Sequence, residues 1–554
     1  MDLLIDLFAF LSVMLRGSAL TAEALTVGGI IFHYAVQPAL DPASAADRRA
    51  AARMTGLLSI GALVLATVVL IATTVDALVL VSTVGVSWAE AMTAPFVWAG
   101  AGTIVAALVV AAVTRMGLQT GAGRLTAAVM MLAMIVMIAS SVSTTHAMAR
   151  LDGRMPLLLA SALHQTGAFT WIGGIPYFLI ALTGIDAPAT RSRLALRFSR
   201  LCIAAVLAIA GSMIVYAVRY IGSVDAVYGT SYGVMAATKA VMFASLLGFG
   251  AANYFAVRRL GASSGATLSR LQRFAEVELG IGIAVFYVAA SLTSQPPAVD
   301  LTQDRVSWQQ IVNRVLTPRE PRLISPAHIE LAIPMEQERL NRLAAAARQQ
   351  APQAYVPGSA ESAPSNAADM AWSEYNHNWS GILVLVIGLL ALAWRAGWPP
   401  ARHWPVLFIV LAIFIAVRSD PEAWPTGDIG FLASMRAPEV LQHRLMTLLV
   451  AIFGIFEWQV RSGALKGTSA AYVFPLSNAL GGIMLLTHSH ALSNVQEALL
   501  VELSHIPMGL LAIAAGGARW LELRTQPPVR NAAAWIWPLC FVGVGIILLA
   551  YRES

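Results

Sequence analysis

Ten histidines stand in this 554-residue chain, and they cluster at the ends of apolar runs. Leu485-Leu-Thr-His-Ser-His-Ala-Leu492 closes one run with two imidazoles, His488 and His490, two residues apart. His377 and His443 each open a run, and His505 lies about two turns inside another. His146 ends a run in the first half of the chain, and His164 lies about two turns into the next. Imidazole is neutral near pH 7 and is the commonest transition-metal ligand. Further donors share its helix faces: Met446 after His443, Met484 before His488, Met508 after His505, with Glu502 before His505 and Glu439 before His443. Imidazole with thioether suits copper, including Cu(I), better than zinc or magnesium. Two alternatives stand beside a copper site. Histidines at helix ends also bond water or loop carbonyls, and two on facing helices, such as His443 and His505, could clamp a b-type haem. His488 and His490 lie about 200° apart around a helix, so both can face one ion only where the helix ends. Ser493 and Asn494, both helix starters, predict that end.

The first half offers fewer donors. His146 and His164 come from adjacent antiparallel runs, with Met148 and Met155 in the joining loop. Met130, Met134 and Met137 form a stripe that His146 does not share, and we read it as packing. Arg16 and Glu23, seven apart, share a face and are expected to pair or to line a translocation path; Lys239 is a further charge inside an apolar run. Trp171-Ile-Gly-Gly174 lets another helix approach closely. The cysteines, Cys202 and Cys540, allow no disulfide framework, zinc ribbon or covalent haem attachment. No Walker loop, Asp-Lys-Thr-Gly phosphorylation motif or Cys-Pro-Cys gate is present, so no enzyme activity is expected; a haem-based oxidoreductase is the alternative.

These residues must be positioned by helices in a bilayer. The chain is 58% hydrophobic and only 12% charged, with a mean hydropathy of +0.69. Soluble domains carry about 25% charged residues, so this is an all-α polytopic membrane protein. Apolar runs predict fourteen spans. Eight centre near 18–37, 56–75, 92–113, 125–147, 157–182, 200–221, 234–257 and 274–293. Six follow near 379–396, 404–417, 440–460, 472–488, 498–517 and 533–551. The apolar stretch Asp2 to Met14 is expected to lie along the membrane surface, and its want of a basic leader and cleavage site argues against a cleaved signal.

Alternate loops carry the arginines, among them Arg48, Arg49 and Arg53, then Arg191, Arg193 and Arg197, then Arg258, Arg259, Arg270 and Arg273. The basic loops are expected to be cytoplasmic, which puts both termini and seven of the ten histidines at the outer face. The net charge of +6 therefore reflects topology and implies no nucleic-acid partner. Residues 294–378 are polar, with nine prolines, and read as an extracytoplasmic connector with a short helix around Pro334–Gln349. The domains expected are an eight-span unit over 1–293, the connector over 294–378, and a six-span, histidine-rich unit over 379–554.

Particular stretches resemble a known family. Leu163-His-Gln-Thr-Gly-Ala-Phe-Thr-Trp-Ile-Gly-Gly174, Arg197-Phe-Ser-Arg200, Tyr232-Gly through Lys239 to Asn253, Glu276-Val-Glu-Leu279 and Leu292-Thr-Ser-Gln-Pro-Pro297 resemble the copper resistance protein D (CopD) domain. Ser373-Glu-Tyr-Asn-His377, Arg418-Ser-Asp-Pro421, Leu441-Gln-His-Arg444, the Thr-His-Ser-His stretch and Glu502-Leu-Ser-His505 look like the extension of long bacterial members. The resemblance implies an inner-membrane protein of copper uptake or tolerance, often working with the periplasmic copper carrier CopC. On this reading His443, His488, His490, His505, His377, Glu502 and Met508, with His146 and His164, are the candidate copper ligands.

Overall fold

A backbone crossing lipid must satisfy its own hydrogen bonds, and the apolar runs do so as helices. The computed structural model describes residues 2–117, 123–259, 265–302, 305–316, 320–331, 367–487 and 495–553. Among them there is no β-strand, only an isolated bridge between Ala423 and Ile429. The main helices of the first half are α1 (Phe8–Ala35), α2 (Ala45–Val84), α3 (Pro95–Gly117), α4 (Arg124–Ser143), α5 (Arg154–Gly184), α6 (Pro188–Tyr216), α7 (Ser231–Arg259) and α8 (Gly265–Leu292). Those of the second are α9 (Ala367–Arg395), α10 (Val406–Arg418), α11 (Pro438–Ser462), α12 (Val473–Leu486), α13 (Val495–Arg524) and α14 (Val529–Leu549).

Thirteen helices among the described residues are long and apolar enough to cross a membrane, and the chain is a polytopic helical membrane protein. At the place of the tenth expected span stands α10, only 13 residues long. It rises about 20 Å, less than the roughly 30 Å of a hydrocarbon core. Helix α1 starts at Phe8, taking in much of the stretch expected to lie along the surface. The short helix expected around Pro334–Gln349 lies outside the described residues.

The chain divides into two compact units. One comprises Ser12–Ser223 and Lys239–Asp300. Its core gathers Phe32, Phe169, Tyr177, Phe178 and Phe198, with Met130 and Met137 wholly buried, so the methionine stripe is packing. The Gly-Gly pair works as expected: a Cβ on Gly173 would stand 1.8 Å from the Ala24 carbonyl oxygen, so only glycine lets α5 meet α1 there. Glu23 is buried and faces Ser141, with one carboxylate oxygen lacking a hydrogen-bond partner. Among the described residues it forms no ion pair with Arg16, because the shared face points Glu23 toward α4.

The other unit comprises Met1–Leu11, Val224–Thr238 and Leu301–Ser554. Trp404, Phe408, Phe453, Phe474 and Phe541 interlock at its centre, with ring centroids 4.6 Å apart for Phe408 and Phe453. Beside these rings lies a buried ionic network. Glu457 accepts from Arg461 at 2.7 Å and from Arg519 at 3.0 Å, and Arg519 also reaches Glu522 at 2.7 Å. Trp537 donates to Glu522 at 2.7 Å, and Arg461 lies 4.9 Å over the Trp404 ring. The expected connector is divided: Val306 and Ile311 are buried with Val234 and Leu499 of this unit, whereas residues up to Asp300 belong to the other unit, where Asp300 pairs with Arg150 at 2.7 Å. Arg305 pairs with Asp225 at 2.5 Å.

Candidate metal centre

In the unit holding α9 to α14, two helices bring imidazoles together. Glycine makes this possible on α9, where a Cβ on Gly381 would stand 2.6 Å from the Leu549 backbone nitrogen of α14. One turn earlier, Asn378 donates to the Leu548 and Leu549 carbonyls at 3.0 and 3.3 Å where α14 ends, and the Leu548 carbonyl also accepts from the Tyr551 N–H at 3.2 Å. That cap turns the chain so that Tyr551 stacks on His377, with centroids 3.7 Å apart and planes 19° apart. From α13, His505 meets both edge-on, 5.8 Å from His377 and 5.9 Å from Tyr551. Residues 551–553 are further held by Arg314, which donates to the Arg552 and Glu553 carbonyls. The Glu553 carboxylate accepts from Ser373 at 2.7 Å and from the Tyr551 hydroxyl. Burial, reinforced by the Glu553 charge, holds the Tyr551 phenol well above its usual pKa, so it stays protonated.

Backbone geometry fixes the imidazole tautomers. His377 Nδ1 lies 2.9 Å from the Ser373 carbonyl oxygen, and His505 Nδ1 lies 3.0 Å from that of Val501. A carbonyl only accepts, so each Nδ1 carries the proton and each Nε2 carries the lone pair. Metal-binding histidines are oriented in this way, the far nitrogen donating to a carbonyl or carboxylate.

His443, on α11, is oriented by a carboxylate instead. Its Nδ1 meets Asp420 Oδ1 at 2.7 Å. Asp420 follows the short α10, whose end is tied down from α9: Trp372 and Asn376 donate to the Arg418 carbonyl at 3.1 and 2.7 Å. The Arg418 guanidinium lies 3.9 Å over the Trp372 ring. From α11, Arg444 holds the Ala416 and Trp424 carbonyls at 2.6 and 2.5 Å. His328 adds a bond to the Pro421 carbonyl at 2.8 Å. Burial alone would raise the Asp420 pKa, but the hydrogen bond and charge of His443, with Ser419 and Arg444, hold it below the usual range. Glu422 moves the other way, raised by burial and by the charges of Asp420 and Glu439. His443 is close enough for its charge to act on both His377 and His505.

His377, His505 and His443 thus share one region, the first two in ring contact through Tyr551. Glu502 faces the Ser231 hydroxyl, and Met508 is buried. His488 and His490 lie outside the described residues. Among the described residues no three His, Cys, Asp or Glu side chains converge closely enough to hold one ion. Asp420, Tyr551 and Glu553 were not singled out from the sequence as site residues. The Arg-Ser-Asp-Pro stretch was visible there, but without the turn after α10 nothing aimed Asp420 at His443.

In the other unit, His146 and His164 do not meet. Two tyrosines of α6 stand between them: His146 to Tyr220 is 6.4 Å, Tyr220 to Tyr216 is 5.5 Å, and Tyr216 to His164 is 5.4 Å between centroids. The tyrosines stack because α6 runs on into a π-helical turn, Ala217–Ile221, closed by the Gly222 N–H on the Ala217 carbonyl at 2.8 Å. Ser212 donates to the Ile209 carbonyl at 2.7 Å and lies 2.9 Å from His164 Nδ1. The serine proton is thereby engaged, so His164 donates and its Nε2 holds the lone pair. Lys239 is near enough for its charge to act on His164. His146 Nε2 is buried without a hydrogen-bond partner. Burial, with the charges of Arg16 and Arg150, lowers the His146 pKa and keeps the ring neutral. Met148 and Met155 are exposed and do not join it.

Residues 192–292, from the middle of α6's first turns to the end of α8, match the model of the family Copper resistance protein D. No curated protein and no solved structure matches the chain.

Proposed function

From the copper resistance protein D domain that this chain carries over residues 192–292, we propose an inner-membrane protein that takes up periplasmic copper and moves it into or across the bilayer. The observation that carries the reading is the pair His377 and His505, each held with its lone pair on Nε2 by a backbone carbonyl. Two imidazoles so prepared, in a chain with this family match, suit copper as cargo. His443, His488 and His490 complete the docking region at the periplasmic face, Glu502 and Met508 standing by as alternative donors; His146 and His164 serve the other unit. The alternation of basic loops supports periplasmic termini, on the side where a CopC-like carrier would deliver the ion. The protein acts as a permease and performs no chemical conversion.

Metal analysis and the visible spectrum of one purified sample test this. Copper should bind without a Soret band. His377→Ala with His505→Ala should lower affinity at least roughly tenfold, the scale known for losing partners of metal ligands. His443→Ala and the His488/His490 double variant should weaken binding as well. A Soret band lost in the same variants would make the histidines haem ligands. Undiminished copper binding in all of them would leave the cluster a hydrated helix edge.

A further inference from the structure

The four helices α5 to α8 enclose a cavity of about 50 Å³ in the unit that carries the family match. Glu278 lines it, 4% exposed. Its two oxygens accept from Trp171 Nε1 at 3.1 Å and from Asn253 Nδ2 at 2.5 Å. Both donors are uncharged, so these bonds solvate the carboxylate without neutralising it. A buried carboxylate is costly unless something positive stands beside it. Asn253 lines the same cavity and is 9% exposed. With its amide nitrogen committed to Glu278, its Oδ1 is buried and has no hydrogen-bond partner. An orphaned buried carbonyl oxygen calls for a donor or a cation. Cys202 supplies the sulfur on the same wall, close enough to Glu278 for the carboxylate charge to act on it.

We propose that this cavity binds one monovalent soft cation, Cu(I), through the Glu278 carboxylate, the Asn253 amide oxygen and the Cys202 sulfur. The volume is room for a few waters, each needing about 10–15 Å³ on this measure, and so admits a single ion. The charge suits a monovalent one: Cys202 binds as thiolate and passes its proton to the neighbouring Glu278 carboxyl group, whose other oxygen still faces the ion, so one anionic sulfur offsets one positive charge. The sulfur supplies the preference for a soft metal. Ten residues of α6 separate Cys202 from Ser212, the partner of His164, so the cavity lies about 15 Å along the helix from that imidazole. The unit therefore carries two stations: a histidine–tyrosine one and, toward the end bearing Arg197, Arg258 and Arg270, a carboxylate–thiol one. This inference rests on copper being the cargo.

The test uses full-length protein with Cys540→Ser, which leaves Cys202 as the sole thiol. Alkylation by N-ethylmaleimide is followed by intact mass, with and without Cu(I), and bound copper is counted on the same sample. Cu(I) should slow Cys202 alkylation at least tenfold. Glu278→Gln and Asn253→Leu should each cost most of that protection, read for every variant as the ratio of its own rates without and with Cu(I), and Asn253→Asp, which keeps an acceptor oxygen, should retain it. If copper binds in a manner sensitive to His377→Ala and His505→Ala yet Cys202 stays unprotected, the cavity is not a site and the copper reading survives. Protection as strong in Glu278→Gln and Asn253→Leu as in the parent would reduce the cavity to a bare thiol. If no copper binds anywhere, the copper reading itself fails.

Discussion

Removing two opposite charges from the network beneath the aromatic core should cost less than the sum of removing each alone. Glu457 is fully buried, and the Arg519 and Arg461 side chains are 7% and 10% exposed. Two carboxylates and two guanidiniums leave the network neutral. Glu457→Met leaves one positive charge uncompensated, and Arg519→Met leaves one negative. At about 4 Å and an effective dielectric near 20, one such interaction is worth about 4 kcal/mol. Breaking a buried pair by deleting one partner costs about 3–5 kcal/mol, whereas replacing both by apolar side chains of similar volume is often nearly neutral. Each single variant should therefore lose about 3–5 kcal/mol, and the double variant much less than their sum, with a coupling of about 2–3 kcal/mol. Unfolding free energies from denaturant titration in mixed micelles give all four corners of the cycle. Additivity within about 0.5 kcal/mol would refute the argument, because it would mean that water or lipid headgroups already screen these charges.

Other expectations follow from single contacts. Gly381→Ala should destabilise by about 1–3 kcal/mol, since its Cβ would meet α14 backbone, and should loosen Tyr551 from His377. Gly248→Ala, with nothing within 4 Å, should gain about 0.5–1 kcal/mol instead, and the two unfolding midpoints compared side by side decide it. The folded-state pKa of Asp420 lies below its unfolded value, so its pairing stabilises fully above the ordinary aspartate range, about 3.9, and is lost only as pH falls through the lowered value. Stability of Asp420→Asn should lack that acid-side loss; an unchanged pH profile would show that the His443 pair contributes nothing. Ser212→Ala removes the acceptor of His164 and should cost about 1–3 kcal/mol, with a change in the His164 tautomer visible by ¹⁵N NMR.

Helical class, the membrane setting and the close approach at Gly173 were legible because each follows from local composition. Apolar runs near 20 residues have no alternative to helix in lipid, and a glycine pair marks where helices touch. The histidine region was legible in part. Counting turns put His377, His443 and His505 near helix ends, but contacts from distant stretches decided what each imidazole meets. Tyr551 reaches His377 because Asn378 caps the end of α14, and Asp420 reaches His443 because the chain turns out of α10 at Ser419. Arg16 and Glu23 lie within reach of each other's charge, as their shared face suggested, but no ion pair joins them among the described residues, because a shared helix face does not fix which neighbouring helix that face turns toward. The π-helical turn that stacks Tyr216 on Tyr220 has no sequence period to announce it.

The turn out of α10 at Ser419 lies near a membrane surface. Thirteen residues rise about 20 Å, and the 3-10 turn Pro399–His403 ahead of them adds about 10 Å, so the span reaches across a standard hydrocarbon slab with no length to spare. The carbonyls at and beyond that end are met by Arg444, Asn376, Trp372 and His328, side chains standing in for water. Such an arrangement exposes the Asp420–His443 pair to hydrophobic mismatch: a thick bilayer presses acyl chains against the loop, and a thin one lets headgroups reach it. Lipid chain length thus becomes a control on this region. Proteoliposomes of short-chain lipids should keep the pair intact, whereas long-chain lipids should strain it before they disturb any full-length span.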